Sequence, residues 1–258
     1  MNKLTCCDSS GNKIWSGGYI SNGIPVIDSY GNVIINQNNR LALFSEDGIL
    51  VWQSSILIGG VCWPAVDRDG NGYVYGDAGG NNKKIVKFDK NGNIIWNSAN
   101  CPFFQDYLSV VIDGFNNIYY RSLDSLVSLD KNGKFRWSKF HPGRLATAAI
   151  SKDNVIFCDS ANYVIALDTS GKTLWKCIIP NSQNIEHSVV LDDNDNIYFE
   201  HEVFGVNDWY ACSIDKSGNL RWTCFLPAYW WGYPGPVLSP NGNLFGAPKR
   251  PYLIFTIK

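Results

Sequence analysis

Nine residues decide the fold: Phe88–Trp96, FDKNGNIIW. Five other stretches write nearly the same phrase. They are CDSSGNKIW at Cys7–Trp15, FSEDGILVW at Phe44–Trp52, LDKNGKFRW at Leu129–Trp137, LDTSGKTLW at Leu167–Trp175 and IDKSGNLRW at Ile214–Trp222. The motif Trp recurs at spacings of 37, 44, 41, 38 and 47 residues. A period of that size marks an array of like structural units.

The motif reads as a β-hairpin. Ile85–Phe88 forms one strand, Asp89–Gly92 the turn and Asn93–Trp96 the returning strand, because Asn and Gly accept the positive φ of a tight turn. Between successive Trp residues stands a second hairpin signature. It reads PVIDSYGNVIIN at Pro25–Asn36, PAVDRDGNGYVYG at Pro64–Gly76, then SVVIDGFNNIYY, TAAISKDNVIFC, SVVLDDNDNIYF and finally PVLSPNGNLFG at Pro236–Gly246. Two hairpins give each unit four antiparallel strands, A to D in chain order. No segment shows a sustained helical period.

Six four-stranded units of ~40 residues predict an all-β fold, a six-bladed β-propeller in one domain. The units are residues 16–52, 53–96, 97–137, 138–175, 176–222, and 223–258 plus 1–15. The last blade is therefore expected to be closed by both termini. The tail supplies strands A and B and a strand at Tyr252–Ile257, and the N-terminus supplies strand D at Lys13–Trp15. Lys3–Cys7 is a second C-like segment, and the sequence leaves open which of the two sits inside. The motif Trp is expected to fill the wedge between neighbouring blades, and the motif Gly to supply the turn.

Composition narrows the function. The chain has 258 residues, 45% hydrophobic and 17% charged, with a formal net charge of −1. That is enough apolar material for a large core. No basic run exists to meet phosphates, so nucleic acid is not an expected partner. No stretch reaches the ~18 apolar residues of a membrane span, so no membrane insertion is expected. The start, MNKLTCCDSSGNKIW, lacks the apolar segment of a signal peptide. The expected location is the cytoplasm or a virion. The eight cysteines (Cys6, Cys7, Cys62, Cys101, Cys158, Cys177, Cys212 and Cys224) form no CxxC pair and are expected to be reduced, mostly buried thiols.

With DRDGNGYVYG followed by KIVKFDKNGNIIW, the chain resembles the pyrroloquinoline-quinone-type (PQQ-like) propeller repeat, which closes each unit on a similar Gly…Trp phrase. The resemblance covers nearly the whole chain. That family holds eight-bladed quinoprotein dehydrogenases and also non-enzymatic propellers such as the outer-membrane-protein assembly lipoprotein. The chain is too short for eight blades and shows no lipobox, so the resemblance implies a six-bladed relative of the non-enzymatic branch. The dehydrogenases carry a vicinal disulfide. Cys6–Cys7 is vicinal, but it lies in a strand of the terminal blade, and that role is not carried over.

In a propeller with strand A innermost, the A–B and C–D turns share one face and the D–A and B–C loops the other. Here the turns are near-uniform, whereas the loops differ in every unit. Divergent loops are where specificity is placed. They include Gln53–Trp63, Asn97–Tyr107, Glu200–Trp209 and Phe225–Gly235. The candidate binding residues are Trp63, Phe104, Tyr107, His187, Trp209, Tyr229, Trp230, Trp231 and Tyr233, as aromatic anchors or, for His187, at the channel mouth. The same aromatics would serve equally to lid the channel or to fill gaps between blades.

No catalytic motif accompanies them: GxSxG, HExxH, GxGxxG and Walker patterns are all missing. Only His141, His187 and His201 represent histidine. Glu186, Glu200 and Glu202 cluster in the fifth unit. Asp67–Gly72, DRDGNG, copies the start of a calcium loop, but position 12 would be Ala78, and the A–B turn explains it without metal. No cofactor and no metal site is expected. The expectation is a non-catalytic module for protein partners through the variable loop face, held in a larger assembly such as a virus particle. The running of the chain from Met1 to Lys258 adds to that expectation. A glycan-binding propeller is the alternative, and an enzyme working around His187 the third reading.

Overall fold

In the computed structural model each repeated hairpin forms where its turn chemistry puts it. The structure describes residues 2–20, 25–57, 62–77, 83–99, 108–122, 124–140, 148–160, 162–185, 189–203, 205, 208–226, 237–239, 244–246 and 255–257. Among them are 27 strands and no helix.

The strands make six sheets. The first is a hairpin, β1 (Asn2–Cys7) and β2 (Lys13–Ile20). The second holds β3 (Val26–Ile27), β4 (Val33–Gln37), β5 (Arg40–Phe44) and β6 (Leu50–Leu57). After β7 (Cys62–Trp63) the same sheet continues with β8 (Ala65–Val66), β9 (Gly72–Asp77), β10 (Lys83–Phe88) and β11 (Ile94–Asn97). These are two four-stranded repeats joined by one bridge, Leu57 to Asp77. The third sheet has β12 (Leu108–Ile112), β13 (Ile118–Ser122), β14 (Ser125–Leu129) and β15 (Phe135–Phe140), with β7 parallel to β12. The fourth has β16 (Ala149–Ile150), β17 (Ile156–Ser160), β18 (Tyr163–Leu167) and β19 (Thr173–Ile178). The fifth has β20 (Ser182–Ile185), β21 (Val190–Leu191), β22 (Ile197–Val203), β23 (Trp209–Ile214) and β24 (Leu220–Leu226). The sixth has β25 (Val237–Leu238), β26 (Leu244–Gly246) and β27 (Phe255–Ile257).

The chain divides into two compact units. One comprises residues 1–118 and 129–136, the other 119–128 and 137–258. In the first, Leu4, Ile35, Ala42 and Phe44 form a core cluster closed by Trp15 and Val33. In the second, Phe157, Val164, Ile197, Phe199, Cys212 and Ile214 belong to a larger one. Burial follows strand position. The B and C strands are buried almost without break, as β13 and β18 show, because sheets cover both of their faces. The D strands alternate between exposed and half-buried, as edge strands do.

One turn recurs throughout. Among the described residues eleven tight turns share the same two backbone hydrogen bonds, and nine of them begin with Asp. At Asp89 the Oδ1 accepts from the amides of Asn91 and Asn93, and Oδ2 from the Asn93 side chain, at 2.9–3.0 Å. The carboxylate thereby replaces the strand partners that a turn residue lacks.

A second device joins neighbours. The Trp52 indole lies on Gly92, its ring atoms 2.9 Å from where a Cβ would stand, and its Nε1–H donates to the Lys90 carbonyl at 2.9 Å. The same docking seats Trp15 on Gly48, Trp96 on Gly133, Trp137 on Gly171 and Trp175 on Gly218. Their indoles donate to the carbonyls of Glu46, Lys131, Thr169 and Lys216 at 2.6–3.1 Å. The Trp was expected to fill a wedge. It also reads the backbone of the following turn.

Two expectations need correction. The termini were expected to close one blade together. Instead β1 pairs with β2 from Asn2–Ile20 to Cys7–Lys13, β27 pairs with β26, and no pairing links the two sheets among the described residues. Each end satisfies backbone groups within its own hairpin, so both C-like segments are already paired. The D–A connection of the fifth repeat was expected to be loop. Part of it is β20, which pairs with the far half of β22, Ile185 opposite His201. β22 has seven residues and β21 only two, so β22 offers backbone groups beyond its A strand that β20 takes up.

Candidate functional site

Of the nine residues expected to bind, seven lie outside the described residues: Phe104, Tyr107, His187, Tyr229, Trp230, Trp231 and Tyr233. Trp63 is the second residue of β7, its backbone beside Ser109 of β12. Trp209 is not on a loop. It opens β23, is 4% exposed and packs with Tyr198, Ala211, Leu226 and Leu244. It is a core residue of the second unit.

The stretch Glu200–Trp209, expected as loop, is strand at both ends, and it carries a buried polar pair. Glu200 and His201 sit side by side on β22, both closed from solvent. Successive strand residues face opposite ways, so they point to opposite faces of the sheet. The His201 ring stacks on Tyr210 at 5.7 Å and 24°, and Tyr210 meets Phe225 edge-on at 5.5 Å. Burial holds His201 below the ordinary histidine range, against a smaller opposite pull from the backbone of Glu202. Its imidazole is therefore neutral near pH 7, and its Nδ1 has no hydrogen-bond partner among the described residues. Sequence reading had one signal for this layer. The fourth residue after each described A–B turn is Asn36, Tyr75, Arg121, Asp159 and Glu200, and Asn36, Tyr75, Arg121 and Glu200 are all buried.

On the turn side of the second unit the ends of β16 and β21, with Leu238 of β25, surround an open cavity of about 670 Å³. Its walls are Ile150, Leu191 and Leu238, and Lys152, Asp193 and Asp195 border it. A smaller hollow of about 450 Å³ lies between the turn at Asp193–Asn196 and Asp215–Ser217. Two of the neighbouring carboxylates are committed to structure. Burial pushes Asp192 up, but hydrogen bonds from Asn196, Tyr198 and the Asn194 amide outweigh it and hold the group below its ordinary range. Asn219 does the same for Asp215. The more available charges are Asp193, which takes Lys152 Nζ at 2.8 Å in an exposed ion pair, and Asp195. The cavity thus offers hydrogen bonds and a mildly negative border to a polar or cationic group. Such exposed pairs contribute little on their own.

The calcium-like stretch behaves as a turn. Asp67 Oδ1 accepts from the Asp69 and Asn71 amides at 3.0 and 2.8 Å, and Oδ2 from Tyr73 at 3.0 Å. Burial, together with the Asp67 charge, pushes the Tyr73 phenol far above its usual range, fixing it as a donor. Among the described residues no group of three or more His, Cys, Asp or Glu is placed to hold a metal ion. Among the described residues Cys6, Cys7, Cys177, Cys212 and Cys224 are free thiols, and burial raises Cys212 to about 12.

Comparison with known proteins fits this picture. The family model of the outer membrane protein assembly factor BamB, a PQQ-type repeat family, matches residues 81–228, more than half of the chain. The chain belongs to this family. Its fold is accordingly of the PQQ-like β-propeller kind. No relative was found among the curated proteins. Among solved structures it is similar to a Bacteroides caccae protein of unknown function, with TM-score 0.55 and 14% identity over 88% of this chain and 90% of that one. It is similar to a quinonprotein alcohol dehydrogenase-like protein from Bacteroides thetaiotaomicron, with TM-score 0.59 and 11% identity over 87% and 60%. It is also similar to BBS1N, solved in complex with ARL6DN, with TM-score 0.64 and 14% identity over 99% and 83%. At these identities the likeness is one of fold.

Proposed function

We propose that the chain is a six-bladed propeller that works as a non-catalytic module and binds a protein partner at the loop end of its second unit. One observation carries the reading. Three residues after the motif Trp, the D strands of this unit expose Phe140, Ile178 and Phe225, which are 71%, 63% and 50% solvent-accessible. The first unit has Gly18, Ser55 and Ala99 at the same positions. Edge strands ordinarily carry charged side chains there, which keeps them from pairing with other chains. Exposed apolar groups repeated at one register are instead what a partner covers. Phe140 and Ile178 end their D strands and Phe225 is the last residue but one of its own, just before the aromatic stretch 226–235 of the sequence.

The partner is retained on the immobilised chain from an extract of its source and identified by mass spectrometry. The double variant Phe140→Ser with Ile178→Ser is expected to keep the melting temperature and to bind that partner at least ~10-fold more weakly. Unchanged binding by the variant, or an equal loss from Ile95→Ser in the first unit, sinks the assignment.

A further inference from the structure

In the second unit β19 is the last strand of its sheet, and among the described residues it is paired on one side only, with β18. The sense of its main-chain groups follows from one bond. The Ile179 amide donates to the Asn162 carbonyl at 2.8 Å, just beyond the pair Tyr163–Ile178. In an antiparallel ladder such bonds fall on alternate residues, so Ile179 and Cys177 turn their N–H and C=O toward β18, and Lys176 and Ile178 turn theirs outward. We propose that this edge takes up an extended segment of a protein partner as an added antiparallel strand, and that it selects a segment with an acidic residue flanked two places away on each side by apolar ones. The inference rests on the partner-binding reading for its place in the molecule, and adds how the partner is held and what its segment must carry.

The side chains along the edge make the selection. Leu174, Lys176 and Ile178 recur at two-residue spacing and so share one face. Leu174 is 50% and Ile178 63% exposed, and Lys176 is exposed between them. The Lys176 ammonium lies 3.7 Å from the centroid of the Tyr163 ring, on β18 of the same sheet. A lysine on an edge strand ordinarily wards off other strands. This one is drawn back across its own sheet, which leaves the edge uncovered. The ring that holds it is neutral, and Lys176 is in no ion pair among the described residues, so its charge is uncompensated. A carboxylate opposite Lys176 on an added strand supplies the missing charge, and apolar residues two places to either side cover Leu174 and Ile178. Neither neighbouring D strand repeats the arrangement: β15 and β24 have Ser138 and Thr223 at the place of Lys176.

The test uses the full chain and labelled synthetic peptides, read by fluorescence anisotropy. The peptide Thr-Val-Thr-Glu-Thr-Val-Thr has the required pattern, and its counterpart with Lys in place of Glu reverses the charge. The wild-type chain is expected to prefer the acidic peptide roughly tenfold, and Lys176→Glu to reverse that preference at an unchanged melting temperature. Methylating the backbone nitrogen of the peptide Glu, which exchanges both bonds with Lys176 in the added strand, is expected to abolish binding. If Lys176→Glu does not fold, Lys176→Met takes its place and is expected to erase the preference. No binding of the acidic peptide at ~1 mM, equal binding of the two peptides, a preference unmoved by substitution at Lys176, or binding that survives methylation overturns the proposal. A wild-type dimer in sedimentation that Lys176→Glu dissociates also overturns it, because a second copy then fills the edge. The partner site and the added strand fail separately. If Phe140→Ser with Ile178→Ser releases the captured partner while the peptides ignore Lys176, the site stands and only the added strand falls.

Discussion

The A–B and C–D turns use one backbone recipe, yet they tolerate different residues at the fourth position. The C–D turns have Gly11, Gly48, Gly92, Gly133, Gly171 and Gly218 there. The A–B turns have Gly31 and Gly70, but also Asn116, Asn154 and Asp195, held at φ of about +60°. Positive φ alone therefore does not demand glycine, since Asn and Asp enter this region at modest cost. What five of the C–D turns add, those of Gly48, Gly92, Gly133, Gly171 and Gly218, is an indole pressed on the α-carbon. At those five turns two demands on the residue coincide, whereas the A–B turns impose only the backbone one.

Substitutions at the two turn types test that distinction, the largest effect first. Gly92→Ala puts a methyl group 2.9 Å from the Trp52 ring in a left-handed conformation. Backbone strain and displacement of the indole together should cost about 3 kcal/mol in chemical denaturation. Gly31→Ala meets only the Glu46 side chain, a carboxylate oxygen at 3.4 Å and the Cβ at 3.8 Å. Its loss should stay near the backbone share, about 1 kcal/mol. Equal losses at the two sites would mean that the indole contributes nothing to the selection of glycine.

Trp96→Phe keeps an aromatic ring but gives up the 3.1 Å bond to the Lys131 carbonyl. A loss of about 1 kcal/mol for the hydrogen bond, plus whatever the smaller ring leaves unfilled, is expected. Asn154→Gly, at the relaxed turn type, should change stability by no more than about 0.5 kcal/mol, and a drop beyond 1 kcal/mol would refute the relaxed class.

Acid should act more gently, in a window set by His201. Its folded pKa lies below the ordinary value of 6.5. Below that value the unfolded chain binds a proton that the folded chain resists, so the contribution is fully present above 6.5 and stability falls as pH drops through it. The depressed turn carboxylates add a further loss only at lower pH, near and below 3.8. His201→Phe should flatten the melting temperature between pH 7 and 5. A slope that survives the substitution would assign the effect elsewhere.

Much of this was legible in the sequence. Gly, Asn and Asp at fixed offsets located the hairpins, and the stretch Ile85–Trp96 folds as read, with strands at Lys83–Phe88 and Ile94–Asn97. The Glu200–Trp209 stretch misled because Glu, His and Glu read as solvent-facing. In a sheet covered on both faces the usual alternation of polar and apolar residues is lost. Trp209 likewise looked like a loop aromatic because its strand is announced by no turn motif. The seating of Trp15, Trp52, Trp96, Trp137 and Trp175 on a Gly in the next repeat could have been suspected from the equal numbers of the two motif residues. Only coordinates show that the two residues touch. Of the aromatic loop residues, Tyr229, Trp230, Trp231 and Tyr233 lie outside the described residues, and the exposed register at Phe140, Ile178 and Phe225 was not singled out from sequence.

The indole takes its hydrogen bond from a main-chain carbonyl, and so it is indifferent to the side chain mounted on that residue. Glu46, Lys90, Lys131, Thr169 and Lys216 occupy this place in turn, covering both charge signs and neither. Mutation can therefore rewrite the electrostatic character of the whole turn rim, one repeat at a time, without loosening a single junction. Relatives of this chain could diverge widely in surface potential while keeping the same mechanical frame.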